Sequence, residues 1–217
     1  MLKLAGSDLK GAEASFKEAQ KLSKKDPRLE IAIARAYEDA DPVKYEKQIA
    51  KCVEKARKYN MKNPAIYVFE GDQLRLKKDV GGAAAKYEMA KNYDKNATEA
   101  YVKYANLFTR VNPDYAVKML QELLTVNPQS ALGQRELANA YYNKKDYANA
   151  VKQYGAYVNN PSHFESDENR YAFLLFYGGQ FKEGYDYATK RLQEDPSDFT
   201  AQRYQFMNAA QPVSYTH

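Results

Sequence analysis

The side chains that most often do chemistry are few in this sequence and widely separated. The chain has two histidines, His163 and His217, and a single cysteine, Cys52. One thiol cannot close an internal disulfide or build a cysteine-based zinc site, and no two histidines have the spacing of a helical metal site. Carboxylates are plentiful, but lone acids on helix surfaces are usually solvated. The sequence therefore predicts a protein that is not an enzyme and that needs no metal ion or cofactor.

Two glycine pairs lack the sequence context of a phosphate-binding loop. Gly81-Gly82 and Gly178-Gly179 supply the backbone freedom of a tight turn, but no Lys-Ser/Thr follows them and no GxSxG elbow occurs. The net charge is +5, from 33 basic and 28 acidic residues, and basic residues cluster only as pairs such as Lys77-Lys78. A nucleic-acid-binding chain more often shows a concentrated basic stripe, so we expect no nucleic-acid partner.

The elements that carry these residues repeat along the chain. Small residues recur in steps of 34, 33 and 34 at Gly71, Ala105, Ala138 and Ala172. Three positions after each of them stands a large residue: Leu74, Phe108, Tyr141 and Leu175. The one missing residue falls in the turn before Pro113, where a deletion is well tolerated. A period of 34 with two helices in each unit predicts an array of helix pairs.

This pattern resembles that of tetratricopeptide (TPR) repeats. In that family a small residue faces a large one in the first helix, helix A, and an Ala–large–Ala motif in the second, helix B, precedes a proline. Ala83, Tyr87 and Ala90 match the helix B motif in one unit, and Ala116 and Leu120 match it in the next. The resemblance implies an all-α, right-handed superhelical solenoid of antiparallel helix pairs, each pair burying its apolar face against its neighbours.

The predicted repeats make one solenoid domain of residues 1–217. A partial repeat over 1–26 keeps only helix B, full repeats span 27–63, 64–96, 97–128, 129–162 and 163–196, and a terminal helix and tail cover 197–217. We expect the helix B of the second repeat to begin near Val43, and the exposed face of the terminal helix to carry Gln202, Gln205 and Asn208. Eight of the 20 tyrosines are expected at inward or half-buried repeat positions: Tyr37, Tyr67, Tyr87, Tyr101, Tyr104, Tyr141, Tyr154 and Tyr171.

The resemblance also implies where a partner would bind, because helix A lines the concave face of TPR proteins. Two asparagines at equivalent positions, Asn106 and Asn139, are expected to hold an extended backbone through the donor and acceptor of each amide. Arg135 and Arg203 are expected to bind carboxylates. Phe173 and Phe176 are expected either to form a hot spot or to pack under neighbouring residues of helix A. The predicted partner-binding residues are Asn106, Arg135, Asn139, Tyr142, Asn169, Phe173, Phe176 and Arg203.

These positions predict a non-enzymatic scaffold that binds a peptide or protein segment in the groove. The chaperone-binding clamp of some TPR domains is not expected, because Arg170 stands where that clamp has an asparagine. Two alternatives stay open. One is a carbohydrate or cell-wall glycan module, in which aromatic rings including Tyr177 stack on sugars, and the other is a structural module of a larger envelope assembly.

The ends of the sequence, the composition of its repeats and its hydropathy give three further expectations. The chain begins inside a repeat, with Leu2 and Leu4 read as the end of a preceding helix, so it is either a fragment of a longer array or self-associates through an open N-terminal end exposing Phe16 and Leu22. The Tyr- and Lys-rich repeats are similar to those of bacterial cell-envelope TPR proteins, which favours a periplasmic or outer-membrane-associated location over a cytoplasmic one. No apolar run reaches the length of a membrane span.

Overall fold

The computed structural model describes residues 9–211, which form helices joined by short turns. The α-helices of this part are α1 (Leu9–Leu22), α2 (Pro27–Ala40), α3 (Glu46–Asn60), α4 (Pro64–Leu76), α5 (Val80–Tyr93), α6 (Thr98–Phe108), α7 (Pro113–Val126), α8 (Ala131–Asn143), α9 (Tyr147–Val158), α10 (Glu168–Tyr177), α11 (Phe181–Glu194) and α12 (Phe199–Ala209). A turn of 3₁₀ helix, Glu165–Asp167, precedes α10, and residues 9–211 contain no strand. The predictions about Leu2, Leu4 and the tail to His217 lie outside the described residues.

The chain divides into two compact units, the first ending at Tyr104 and the second beginning at Ala105, within α6. In the first unit α2 packs against α3 and α4 against α5, and α2 also contacts α4. In the second unit α8 packs against α7 and α9, and α11 against α12, while α10 contacts α9, α11 and α12. Consecutive helices therefore pack in adjacent pairs, and the predicted all-α helical-repeat solenoid is confirmed. That the whole chain forms one domain stays a prediction.

Side-chain caps fix where most of these helices begin. The cap residues accept a hydrogen bond from a backbone N–H two or three positions later: Asp26, Asn63, Asp79, Asn112, Ser130, Asp146 and Asp198. Helix α3 has no such cap, and its predicted start near Val43 is wrong by three residues. Val43 is exposed in the turn, whereas Tyr45 is buried against the Tyr37 ring at 5.2 Å between ring centroids, and the helix starts just after it.

Small residues in the first helix of a pair let the second helix come close. A Cβ built on Gly71 would lie 2.4 Å from Cε1 of Tyr87, so the tyrosine ring fills the place of the missing side chain. Ala105, Ala138 and Ala172, at the equivalent positions, are at most 1 % exposed. The predicted tyrosine positions are confirmed, since seven of the eight are buried and Tyr141 is half-buried.

Replacing Gly71 by alanine should test this contact. The new methyl group would overlap the buried ring of Tyr87, and overpacking of this kind costs about 1–3 kcal/mol. We expect Gly71→Ala to lower the free energy of unfolding by that amount in urea denaturation. Gly81→Ala is the matched control, because its Cβ meets only Asp79 Oδ1 at 3.9 Å within helix α5. The control should be neutral or stabilise by up to about 1 kcal/mol, and equal effects of the two changes would contradict the packing account.

The turn between the two helices is closed in the same way in three repeats. A backbone N–H bonds a carbonyl five residues earlier, at 2.9 Å in each case: Asp79 to Leu74, Asp146 to Tyr141 and Gln180 to Leu175. The residue before each donor has left-handed backbone geometry, with φ of 63° at Lys78, 66° at Lys145 and 74° at Gly179. This is the helix-ending arrangement that glycine satisfies best. The turn before Pro113, which is one residue shorter, has no residue of positive φ.

The two residue types at this turn position give an opposed pair of predictions. Lys145→Gly should stabilise the protein by about 0.5–1 kcal/mol, because a non-glycine residue carries the cost of the left-handed conformation. Gly179→Lys should destabilise by a similar amount, since no atom lies within 4 Å of a Cβ there and only the backbone cost remains. Thermal unfolding of both variants decides the matter; shifts of the same sign would rule out the conformational explanation.

The terminal helix α12 presents a different face from the predicted one. Asn208 is 4 % exposed and donates from Nδ2 to the Tyr204 carbonyl at 2.7 Å, and Gln205 donates to Thr189 Oγ1 at 2.9 Å. The prediction that both are exposed is wrong, because Asn208 stands 34 residues after Leu174, a position that faces the preceding helix pair. Of the predicted three only Gln202 is exposed. The solvent face instead carries two phenylalanines that are each 76 % exposed, Phe199 and Phe206.

The N-terminal helix also differs from expectation in one side chain. Phe16 is half-buried, with its ring edge-on to Tyr37 at 5.4 Å between centroids, whereas Leu22 is exposed as predicted. Self-association through this end stays a prediction. Across residues 9–211, no helix combines the length and the apolar character that crossing a bilayer requires.

Candidate functional site

Helices α6, α8 and α10 of the second unit surround a concavity of about 490 Å³. Its polar lining, which we call the Asn/Arg groove, consists of Asn106, Thr109, Arg110, Glu136, Asn139, Tyr142, Asn143 and Arg170. Three of the eight predicted residues, Asn106, Asn139 and Tyr142, are thus brought together. They lie on first helices of successive repeats, so the helical repeat itself sets their spacing.

The amides in the groove have free hydrogen-bonding capacity. Within the described part of the chain, the exposed side chains of Asn106 and Asn143 make no hydrogen bond. Asn139 donates from Nδ2 to Glu136 Oε2 at 3.4 Å, a long contact that leaves its carbonyl oxygen available. Each amide offers both a donor and an acceptor, which is what an extended backbone requires from a binding surface.

Arg170 is one of the groove residues that the predicted set does not contain. Its guanidinium Cζ lies 4.5 Å from the ring centroid of Tyr142 and 4.6 Å from that of Phe173. The two rings meet at 61° with centroids 5.8 Å apart, so they form a wedge beneath the cation. The available signal was its position two residues before Ala172, where the neighbouring repeats also carry a charge, Lys103 and Glu136.

Arg135 was predicted to receive a partner's carboxylate, but its own chain already supplies two. It donates from Nε and Nη2 to Glu136 Oε1 at 3.0 and 2.9 Å, and from Nη1 to Asp167 Oδ2 at 3.3 Å. Asp167 also accepts from the Tyr157 hydroxyl at 2.7 Å. The helix brings Glu136 to Arg135 and the 3₁₀ turn brings Asp167, and a partner's carboxylate at Arg135 stays a prediction. Arg135 lines a separate concavity of about 320 Å³ beside the exposed ring of Phe164.

The remaining predicted residues lie outside the lining of the Asn/Arg groove. Phe173 is half-buried and reaches the groove only by supporting Arg170. Phe176 packs against Phe181 and Tyr204, at 5.7 and 6.3 Å between centroids. The other two are Asn169, whose Oδ1 accepts from Arg191 at 2.8 Å, and the exposed Arg203, which lies 5.7 Å from the Tyr204 ring centroid.

The first unit carries charges at equivalent helix A positions, but they neutralise one another. Asp72, with a side chain 12 % exposed, accepts from Lys103 Nζ at 2.8 Å and lies 3.3 Å from Arg35. Glu99 pairs with the same two cations, at 3.0 Å to Arg35 and 3.5 Å to Lys103. The Tyr87 hydroxyl donates to Asp72 at 2.7 Å; burial first, and then this carboxylate, raise the pKa of Tyr87 above its usual value. This face is therefore a stabilising network rather than an open binding surface.

Removing Asp72 should be costly. Asp72→Ala leaves Lys103, Arg35 and the Tyr87 hydroxyl without their shared acceptor, and we expect the free energy of unfolding to fall by about 2–3 kcal/mol. Glu54→Ala is the control, because Glu54 pairs with Lys58 on the solvent side of α3 and exposed pairs contribute little. Guanidinium denaturation of both variants measures the difference, and an Asp72→Ala variant as stable as the control would argue that the network is dispensable.

The described residues show no assembled catalytic group. Burial, followed by the nearby Glu30 carboxylate, raises the pKa of the Cys52 thiol to about 11, so the thiol is protonated at neutral pH and is a poor nucleophile. His163 bonds the Asn160 carbonyl at 2.8 Å and Glu168 at 3.1 Å, which ties it into a turn. Residues 9–211 contain no cluster of three metal-ligating side chains.

Comparison with known proteins bears on the fold. No protein-family model matches the chain, and no curated protein sequence matches it either. Among solved structures, PilW, described as a widely conserved type IV pilus biogenesis factor, is 18% identical with a TM-score of 0.65, over 94% of this chain and 93% of PilW. PilF of Pseudomonas aeruginosa is 16% identical with a TM-score of 0.60, over 94% of this chain and 92% of PilF.

A third solved structure is YrrB, described as a TPR protein with an unusual peptide-binding site. It is 15% identical with a TM-score of 0.54, over 88% of this chain and 97% of YrrB. Likeness at these identities establishes the fold, and the chain therefore has the fold of TPR proteins. The resemblance drawn from the repeat pattern is confirmed.

Proposed function

We propose that this protein is a non-enzymatic scaffold that binds an extended segment of another polypeptide in the Asn/Arg groove. The observation that carries the proposal is the set of three asparagine amides around one concavity, two of which make no hydrogen bond within the described residues. Asn106 and Asn139 occupy the same position in successive repeats. A bound backbone, which repeats donors and acceptors along its length, would match such a periodic series of amides.

The fold supports this choice of ligand. YrrB, which is similar to this chain in fold, is described as having a peptide-binding site, and PilW as a pilus biogenesis factor. A role in a bacterial envelope assembly, and a periplasmic or outer-membrane-associated location, remain predictions from the style of the sequence.

Glycan binding has less support than peptide binding. It would need exposed aromatic faces, but Tyr142 and Phe173 turn their faces to Arg170, and Phe176 packs against Phe181 and Tyr204. The exposed ring of this group is Tyr177. Peptide binding uses the groove as it stands, whereas stacking on a sugar would require these contacts to be given up.

Panning a random-peptide display library on the purified chain tests the proposal. We expect enriched peptides that bind the wild-type chain and that bind an Asn106→Ala, Asn139→Ala double variant about tenfold or more weakly, since each amide contributes roughly 1 kcal/mol. Fluorescence anisotropy of labelled peptides gives the affinities, and circular dichroism confirms that the variants are folded.

Asn92→Ala is the matched control for this experiment. It removes an exposed amide from α5, which does not line the groove, and should leave affinity unchanged. Peptides that bind all three proteins equally, or a library that yields no specific binder, would remove the groove from consideration as a peptide site.

A further inference from the structure

The charges in the Asn/Arg groove are not balanced by the chain itself. Its cations are Arg110 and Arg170, and its one anion is Glu136, which is held by Arg135 and Asn139. Within residues 9–211, no carboxylate forms an ion pair with Arg110 or Arg170. The first unit differs, because there Arg35 and Lys103 each lie close to Asp72 and Glu99. In the groove, by contrast, Arg110 and Arg170 have no carboxylate partner of this kind within the described residues.

The position of Arg170 leaves its donors available. The rings of Tyr142 and Phe173 contact the guanidinium through their faces, and such contacts satisfy part of its charge without using its N–H groups. Those N–H groups point outward in the plane of the guanidinium, in the fork that fits a carboxylate through two parallel hydrogen bonds. A lysine ammonium can also lie over a ring, but it lacks the planar fork that stacks on the rings and still offers a carboxylate two parallel hydrogen bonds.

We propose that the groove binds segments that contain an acidic residue, and that the carboxylate of this Asp or Glu side chain pairs with Arg170. The inference rests on the proposed function, since it names the chemistry of the segment that the groove takes. Arg110 adds a second positive charge at the α6 side of the concavity. Glu136 repels a carboxylate placed at the α8 side, so the acidic residue is directed toward α10. In this arrangement Asn106 and Asn139 bind the backbone of the segment, and Arg170 confers the preference for an acidic side chain.

Peptides selected on the wild-type chain provide the test. We expect them to be enriched in Asp and Glu, and replacing the key carboxylate by its amide, Asp by Asn or Glu by Gln, to weaken binding about tenfold or more. In Arg170→Gln the acidic peptide and its amide form should bind equally weakly, which would show that the two groups are coupled. Arg170→Lys should recover only part of the affinity, and raising the salt concentration should weaken the acidic peptide more than the amide form.

The controls separate charge from folding. Lys152→Gln removes one exposed positive charge from α9 of the same unit and should leave the preference for acidic peptides intact. Thermal unfolding checks that Arg170→Gln has not disturbed the packing of Tyr142 and Phe173. Arg110→Gln, which touches neither ring in the described contacts, gives a second variant in which the acid preference should decrease.

Failure of the acidic specificity and failure of the proposed function would give different results. Peptides whose binding needs Asn106 and Asn139 but not a carboxylate would overturn the acidic specificity and leave the proposed function standing. A library without any groove-dependent peptide would overturn both. A short single-stranded RNA that binds through Arg170, in the absence of any acidic peptide that does, would overturn the proposal in favour of a phosphate ligand.

Discussion

In the helix pairs, a small residue on the first helix lets the second helix pack close against it. The Tyr87 ring of α5 occupies the space that a side chain at Gly71 of α4 would fill. The Tyr87 hydroxyl donates to Asp72, which follows Gly71 on α4. Because the second helix can lie so close to the first, a single helix pair can bury large aromatic rings between its two helices. The same geometry repeats with alanine at the later positions, and Asn106 and Asn139, each one residue after such an alanine, both line the Asn/Arg groove.

The two units differ in how far their charged side chains are paired. In the first unit, four charged groups centred on Asp72 and Glu99 balance each other, and their side chains are only partly exposed. In the second unit, Arg135 forms a comparable arrangement with Glu136 and Asp167, but Arg110 and Arg170 remain outside it. Like positions of one repeat pattern thus serve stability in one unit and are left open in the other. Burial and pairing, rather than position alone, decide which role a charged residue has.

The fold was predictable because its signal is periodic and local. Small residues at steps of 33 or 34, capping residues before most helices and the shortened turn before Pro113 are all visible in the sequence, and they specify helix pairs without knowledge of long-range contacts. The site was predictable only in part. Asn106, Asn139 and Tyr142 follow from repeat position, but that Arg135 is already paired depends on a 3₁₀ turn that brings Asp167 to it from 32 residues away. The support of Arg170 by two rings likewise depends on how α8 and α10 pack, which spacing does not specify.

The wedge of Tyr142 and Phe173 has a consequence for the thermodynamics of any association at Arg170. A free arginine side chain has many rotamers and loses roughly 2 kcal/mol of conformational entropy when it is fixed. Contact with two rings restricts those rotamers in the unbound protein, so that much of this loss is incurred during folding. A ligand then meets a cation whose orientation is already set, and its binding orders fewer degrees of freedom than it would at an exposed arginine without such contacts.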